Sequence, residues 1–145
     1  MHQPGVEHSW ICILSIIALI FYFKGSYKFY KNQSGFFLWF GLGVFSDILM
    51  ALVASTKIMP VLLPNEGIPY TSILFMLHIT MSTIGMVGYI LVFLIIAIRG
   101  VNQPYPLLRV ISYQILLPTW IVGVAIAIFN FLSKIVFQIN LFNHI

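Results

Sequence analysis

The sequence predicts an all-α integral membrane protein: one four-helix bundle with both termini on the extracytoplasmic side. Three observations lead there. Charged residues make up 7% and hydrophobic residues 61% of the 145 positions, at a mean hydropathy of +1.04, against about 25% and 45–50% in soluble domains. Apolar runs of the length that crosses a ~30 Å hydrocarbon core recur four times, separated by short connections. The basic residues gather in alternate connections, with Lys24, Lys28, Lys31, Arg99 and Arg109 on one side and Lys57 and Lys134 on the other. The side richer in Lys and Arg faces the cytoplasm, or the matrix of an organelle. Residues 1–145 are read as a single domain.

The first span is read over about 9–23, SWICILSIIALIFYF. Its flank MHQPGVEH has no Lys or Arg, and lysines follow it. That order is the reverse of a secretory signal and predicts an uncleaved span entering from outside. The stretch GSYKFYKNQSG mixes aromatics with lysines and belongs at the headgroup level, as a helical extension or a loop. The second span is 36–54, FFLWFGLGVFSDILMALVA. The connection STKIMPVLLPNEGIPY holds three of the seven prolines and reads as a non-helical outer loop. The third span, about 71–98, exceeds the hydrocarbon thickness and should tilt or protrude. The fourth, about 110–137, contains Pro118, which removes one helical hydrogen bond. A kink and a free carbonyl near Gln114 are expected.

Several function classes are excluded. The pI near 9.4 does not indicate nucleic-acid binding, because the basic residues sit at span ends. The single cysteine, Cys12, allows no internal disulfide and no thiolate zinc site, and reads as a small buried hydrophobe. No phosphate-binding loop, nucleophile elbow, zinc-protease motif or paired carboxylates occur, so the chain is not expected to be an enzyme. Asn32-Gln33-Ser34 matches a glycosylation sequon on the wrong side of the membrane and is taken as a chance match.

The candidate site rests on polar residues inside the spans. Asp47 is the one acid within an apolar run; Glu7 and Glu66 lie in the outer flank and the second connection. A carboxyl group there should face protein, water or a partner charge rather than lipid. Asp47 and His78 each lie seven residues from the outer end of their span, at about the same depth. A direct or water-bridged Asp47–His78 pair is expected, with Ser46, Thr80, Ser82 and Thr83 as further hydroxyls nearby. Such a pair serves as a structural clamp, as a haem or quinone site with Asp47 orienting His78, or as a proton relay.

Other residues join at lower weight. His8 joins His78 as a metal or haem ligand if span one packs beside span three. His2 and His8 with the amino terminus form a possible copper site, and His144 also falls on the outer side. Trp120, near mid-membrane, needs an acceptor for its indole N–H, such as Gln114, Asn130 or a bound partner. Arg99 and Arg109 are read as span anchors that can also hold a lipid phosphate, a haem propionate or an acidic partner. Trp10, Trp39, Tyr70, Tyr89 and Tyr105 are assigned to the aromatic belts near span ends. Gly41, Gly43, Ser82, Gly85, Gly88 and Gly123 permit close helix approach.

Ala18–Tyr22 followed by Phe36–Met50 resembles the HsmA-like family of small four-span membrane proteins. Phe40, Gly41, Leu42 and Asp47 match its aromatic-Gly-Leu run and its acid. Its usual Thr-Gly-Thr after the Asp is Ile48, Leu49 and Met50 here, and of its spaced third-span histidines only His78 is present. Leu77-His78, Arg99-Gly100, Arg109 and Leu117-Pro118-Thr119-Trp120 are similar to a small uncharacterised membrane family linked to cytochrome c oxidase assembly, although its basic-histidine motif before the last span is Leu107-Leu108-Arg109 here. These resemblances imply a respiratory or haem-related neighbourhood and no more. With the polar pair in the spans, the chain is read as an accessory or assembly subunit of a respiratory complex in a bacterial or mitochondrial inner membrane, with the lipid bilayer and other membrane subunits as partners and haem b or quinone as the cofactor of the pair. A small proton-coupled transporter or channel using Asp47 and His78, and a purely structural subunit, are the alternatives.

Overall fold

The computed structural model describes residues 6–58 and 72–143. It is all-helical, with no strand among the described residues. Four helices are long and apolar enough to cross a membrane, which makes the chain a multi-pass membrane protein by length and composition. They are α1 (Val6–Tyr30), α2 (Phe36–Val53), α3 (Ile73–Arg99) and α4 (Pro106–Phe137). The headgroup-level stretch after the first span is helical to Tyr30, and the fourth helix starts at Pro106, four residues before the expected boundary. The expected prolyl loop falls mostly at 59–71, outside the described residues; its first residues continue α2 as a π-helical turn, Ala54–Ile58.

Each helix end has a local cause. Asn32 and Gly35 adopt left-handed backbone (φ 57° and 78°), which reverses the chain between α1 and α2 in a few residues. The Ser72 hydroxyl caps α3 by accepting from Phe75 N at 3.2 Å. Gly100, at φ 95°, ends it. Tyr105 Oη donates to Gly100 O at 2.8 Å and closes the tight connection to α4, where Pro106 occupies the first turn and needs no N–H partner.

Pro118 is accommodated differently from expectation. The turn before it widens to a π-helix over Ile111–Leu116, so that Leu117 N–H reaches back to Ser112 O. A widened turn removes the clash between the proline ring and the preceding carbonyls.

Helix α1 packs chiefly on α2, and α3 on α4. The two hairpins join along α2·α3 and α1·α4, leaving α1 diagonal to α3 and α2 diagonal to α4. Small residues set both antiparallel registers. Ser15 meets Met50, Tyr22 meets Gly43 and Gly25 meets Phe40 between α1 and α2. Ser82 meets Gly123 and Gly85 meets Trp120 between α3 and α4. A Cβ on Gly43 would stand 2.6 Å from the Tyr22 ring, and one on Gly85 would stand 2.6 Å from Trp120 Cβ. No larger residue fits at either crossing. Outward faces carry Ile16, Ile20, Phe45, Leu91, Val122 and Phe129, the surface that lipid covers.

Candidate functional site

A knot of side chains crosses the bundle centre, with one ring or carboxyl group from each helix. Asp47 of α2 is 3% exposed. It accepts from Tyr22 Oη of α1 at 2.6 Å and from Trp120 Nε1 of α4 at 3.1 and 3.3 Å. Tyr22 stacks on Tyr89 of α3 with ring centroids 4.0 Å apart, and meets Trp120 edge-on at 5.2 Å. Tyr89 Oη donates to Ser112 O at 3.0 Å and so accepts from Ser26 Oγ at 2.6 Å. The widened turn of α4 holds the Ser112 carbonyl that receives it.

This arrangement corrects three expectations. Of the two forms of the expected Asp47–His78 pair, the direct one is not made: the carboxyl oxygens are taken by a phenol and an indole. The acceptor for Trp120 is Asp47, across the diagonal, and not Gln114, which is exposed, or Asn130. Tyr89 is fully buried in the knot and does not belong to an interfacial belt. Tyr22 and Tyr89 were legible only as polar-tipped rings in apolar runs. The signal that would have raised them is that a buried phenol needs a partner.

Beyond the knot, toward the end where α1 begins and α2 ends, the helices part around a cavity of about 370 Å³. Asp47 and Trp120 lie at its deep end. Ala51, Ala54, Ala127, Met50, Phe75 and Ile128 supply apolar wall, and Ser15, Ser82, His78, Asn130 and Lys134 supply polar groups. Cys12 lines it too and is only half-buried. His78 Nδ1 lies 2.8 Å from Gly123 O and 3.2 Å from Ser82 Oγ. A carbonyl only accepts, so Nδ1 carries the proton, and Nε2 is the nitrogen that presents a lone pair whenever the ring is neutral. Nε2 has no partner among the described residues. Gly123 lies three residues past Trp120, which sets His78 about 4.5 Å beyond the Asp47 level. The two residues therefore share one cavity on separate partners.

Residues 138–142 fold over this cavity. Gln138 turns left-handed (φ 57°) and ends α4, with Ile139 N donating to Ser133 O at 3.3 Å. Phe142 then lies on the His78 ring at 5.8 Å between centroids and edge-on to Phe75 at 5.2 Å. Its N–H donates to Asn130 Oδ1 at 3.3 Å.

The remaining candidates are dispersed. The His8 side chain, His2, His144 and Tyr70 lie outside the described residues. A haem bridging His8 and His78 requires adjacent α1 and α3, which are diagonal. No group of three His, Cys, Asp or Glu capable of holding a metal occurs among the described residues. Of the hydroxyls expected around the pair, Ser46 Oγ bonds its own helix at Leu42 O, and Thr80 and Thr83 point outward. Arg99 is exposed, and Arg109 engages Asn32 at the opposite end of the bundle. Comparisons with protein-family models, with curated proteins and with solved structures find no match to this chain.

Proposed function

We propose that the chain is an accessory subunit of a respiratory membrane complex that holds a quinol in the cavity, with the cavity end of the bundle on the extracytoplasmic side. The observation that carries this reading is His78: its tautomer is fixed by a backbone carbonyl and its free nitrogen belongs to a residue lining a mostly apolar chamber. Such a nitrogen accepts a hydrogen bond from a ring hydroxyl, while the alanines and methionines around it suit an apolar ring and tail. The cavity falls at the small end of the ~300–1,000 Å³ range of small-molecule sites, which suits a monocyclic head. Haem fits less well, because the described residues bring a single imidazole to the cavity. The resemblances to the HsmA-like family and to the oxidase-assembly family, together with the five-to-two bias of basic residues, support the respiratory setting and the orientation.

Asp47 favours a second role alongside this one. Both its oxygens are engaged by Tyr22 and Trp120, which suits a lock between three helices better than a proton carrier.

Trp120 lines the cavity and reports on it. In a protein with Trp10 and Trp39 replaced by Phe, a short-chain quinol analogue should quench Trp120 fluorescence saturably. Ala127→Trp, with its own emission subtracted, should abolish that quenching by filling the chamber. His78→Ala should weaken binding by about tenfold, the worth of one hydrogen bond. Equal quenching in all three proteins would remove the basis for the site, and a stoichiometric Soret band in the purified protein would replace quinol with haem.

A further inference from the structure

At the basic end of the bundle, away from the cavity, we propose a site for the phosphodiester headgroup of an anionic phospholipid, built on Arg109 and Asn32. The guanidinium is fixed in place. Its Nη2 donates to Asn32 Oδ1 at 2.5 Å, and its Cζ stands 5.7 Å from the centroid of the Phe29 ring. Asn32 is offered by the left-handed turn between α1 and α2. The rest of the guanidinium's donors are unspent. Nε is buried without a partner and closed to any ligand, and Nη1 makes no hydrogen bond among the described residues, so the Nη1–Nη2 edge is the one left to meet a phosphate.

Among the described residues no carboxylate compensates this charge. The three acids of the sequence are Glu7, Asp47 and Glu66, and none falls in 24–35 or 99–113, the segments that make this end. Lysines crowd the same turn instead. Lys31 precedes Asn32 in sequence, and Lys28 Nζ donates to Ser34 O at 3.3 Å. A partly buried cation without a counter-charge is costly, whereas an oriented guanidinium with free donors matches a phosphate through paired, charge-assisted hydrogen bonds. An anionic lipid supplies that phosphate at the correct depth, held by its acyl chains and drawn by the surrounding lysines. A choline headgroup would bring its own cation against the same lysines, so a net negative charge is selected.

Arg99 supplies the control. It is exposed on the last turn of α3 and has no hydrogen bond or ring contact among the described residues.

Native mass spectrometry of the purified protein in an equimolar mixture of phosphatidylglycerol and phosphatidylcholine tests the site. The wild type should retain one phosphatidylglycerol with about tenfold or greater preference. Arg109→Gln should erase the preference and Arg99→Gln should keep it. Arg109→Lys, which retains charge without the planar fork, should keep only part. Asn32→Gly removes the group that aims the guanidinium and keeps the left-handed turn between α1 and α2; it should weaken retention even if Arg109→Gln does not fold. Equal losses in the Arg99 and Arg109 variants would reduce the effect to diffuse surface charge and overturn the site. Displacement of the lipid by equimolar glycerophosphate would overturn it as a lipid site.

Discussion

Toward the basic connections the bundle is closed by rings. Phe29 meets Phe36 at 4.6 Å, Phe40 at 5.5 Å and Tyr105 at 6.2 Å, with all four buried. Toward the chain ends the same four helices part around a cavity. The difference follows from side-chain size at inward positions. The basic end places Phe, Tyr and Ile there, while the other end places Cys12, Ser15, Ala51, Ala54, Ser82 and Ala127. Helices held at one spacing by the knot at mid-bundle cannot close over small side chains, so volume is left between them. The knot of Tyr22, Asp47, Tyr89 and Trp120 is the boundary between a packed half and a hollow half.

Six substitutions, grouped in four tests, would break or sharpen this contrast. The largest effect is expected at the boundary itself. Trp120→Ala should lower stability by about 3–5 kcal/mol in denaturant titrations in detergent, as a fully buried indole is lost, and should enlarge the hollow half. A loss under 1 kcal/mol would mean that the knot does not hold the bundle. Tyr22→Phe keeps the ring stack but takes one donor from Asp47, and should cost about 1–3 kcal/mol. Asp47→Asn in the same background should then cost much less than it does alone, and additivity of the two would contradict a shared bond.

In the hollow half, Ala127→Phe should change stability by less than about 1.5 kcal/mol because it enters free space. Gly85→Ala, at the crowded crossing with Trp120, should be clearly destabilising despite being the smaller change. The reverse order in thermal melts would show that the cavity is not open volume. Smallest of all, Arg99→Gln at the exposed rim should stay within about 0.5 kcal/mol, and a larger shift would place Arg99 in a contact of its own.

Much of the site was legible in part. Asp47 and His78 stand out because each is polar inside an apolar run, and the span lengths place them at nearly the same depth. Both do line one cavity. Their partners were not legible. Tyr22 and Tyr89 are two rings in a chain that is 16% aromatic, and a tyrosine in such a run reads equally well as belt or core. Trp120 reads as an indole in need of an acceptor, yet the acceptor lies across the diagonal, on a helix that α4 does not pack against along its length. Pro118 reads as a kink within the span, while the widened turn before it, which presents Ser112 O to Tyr89, leaves no mark in the residue pattern.

The sequence by itself determined that the chain is four apolar helices, where three of them begin and end to within about four residues while the first runs seven residues past its expected end to Tyr30, and how deep each polar group lies. A helix advances a fixed 1.5 Å per residue, so depth can be counted. Only the tertiary structure decided which polar groups meet. That depends on the rotation of each helix about its axis and on which helices are diagonal, and both are set by how small residues at the crossings let neighbouring backbones approach.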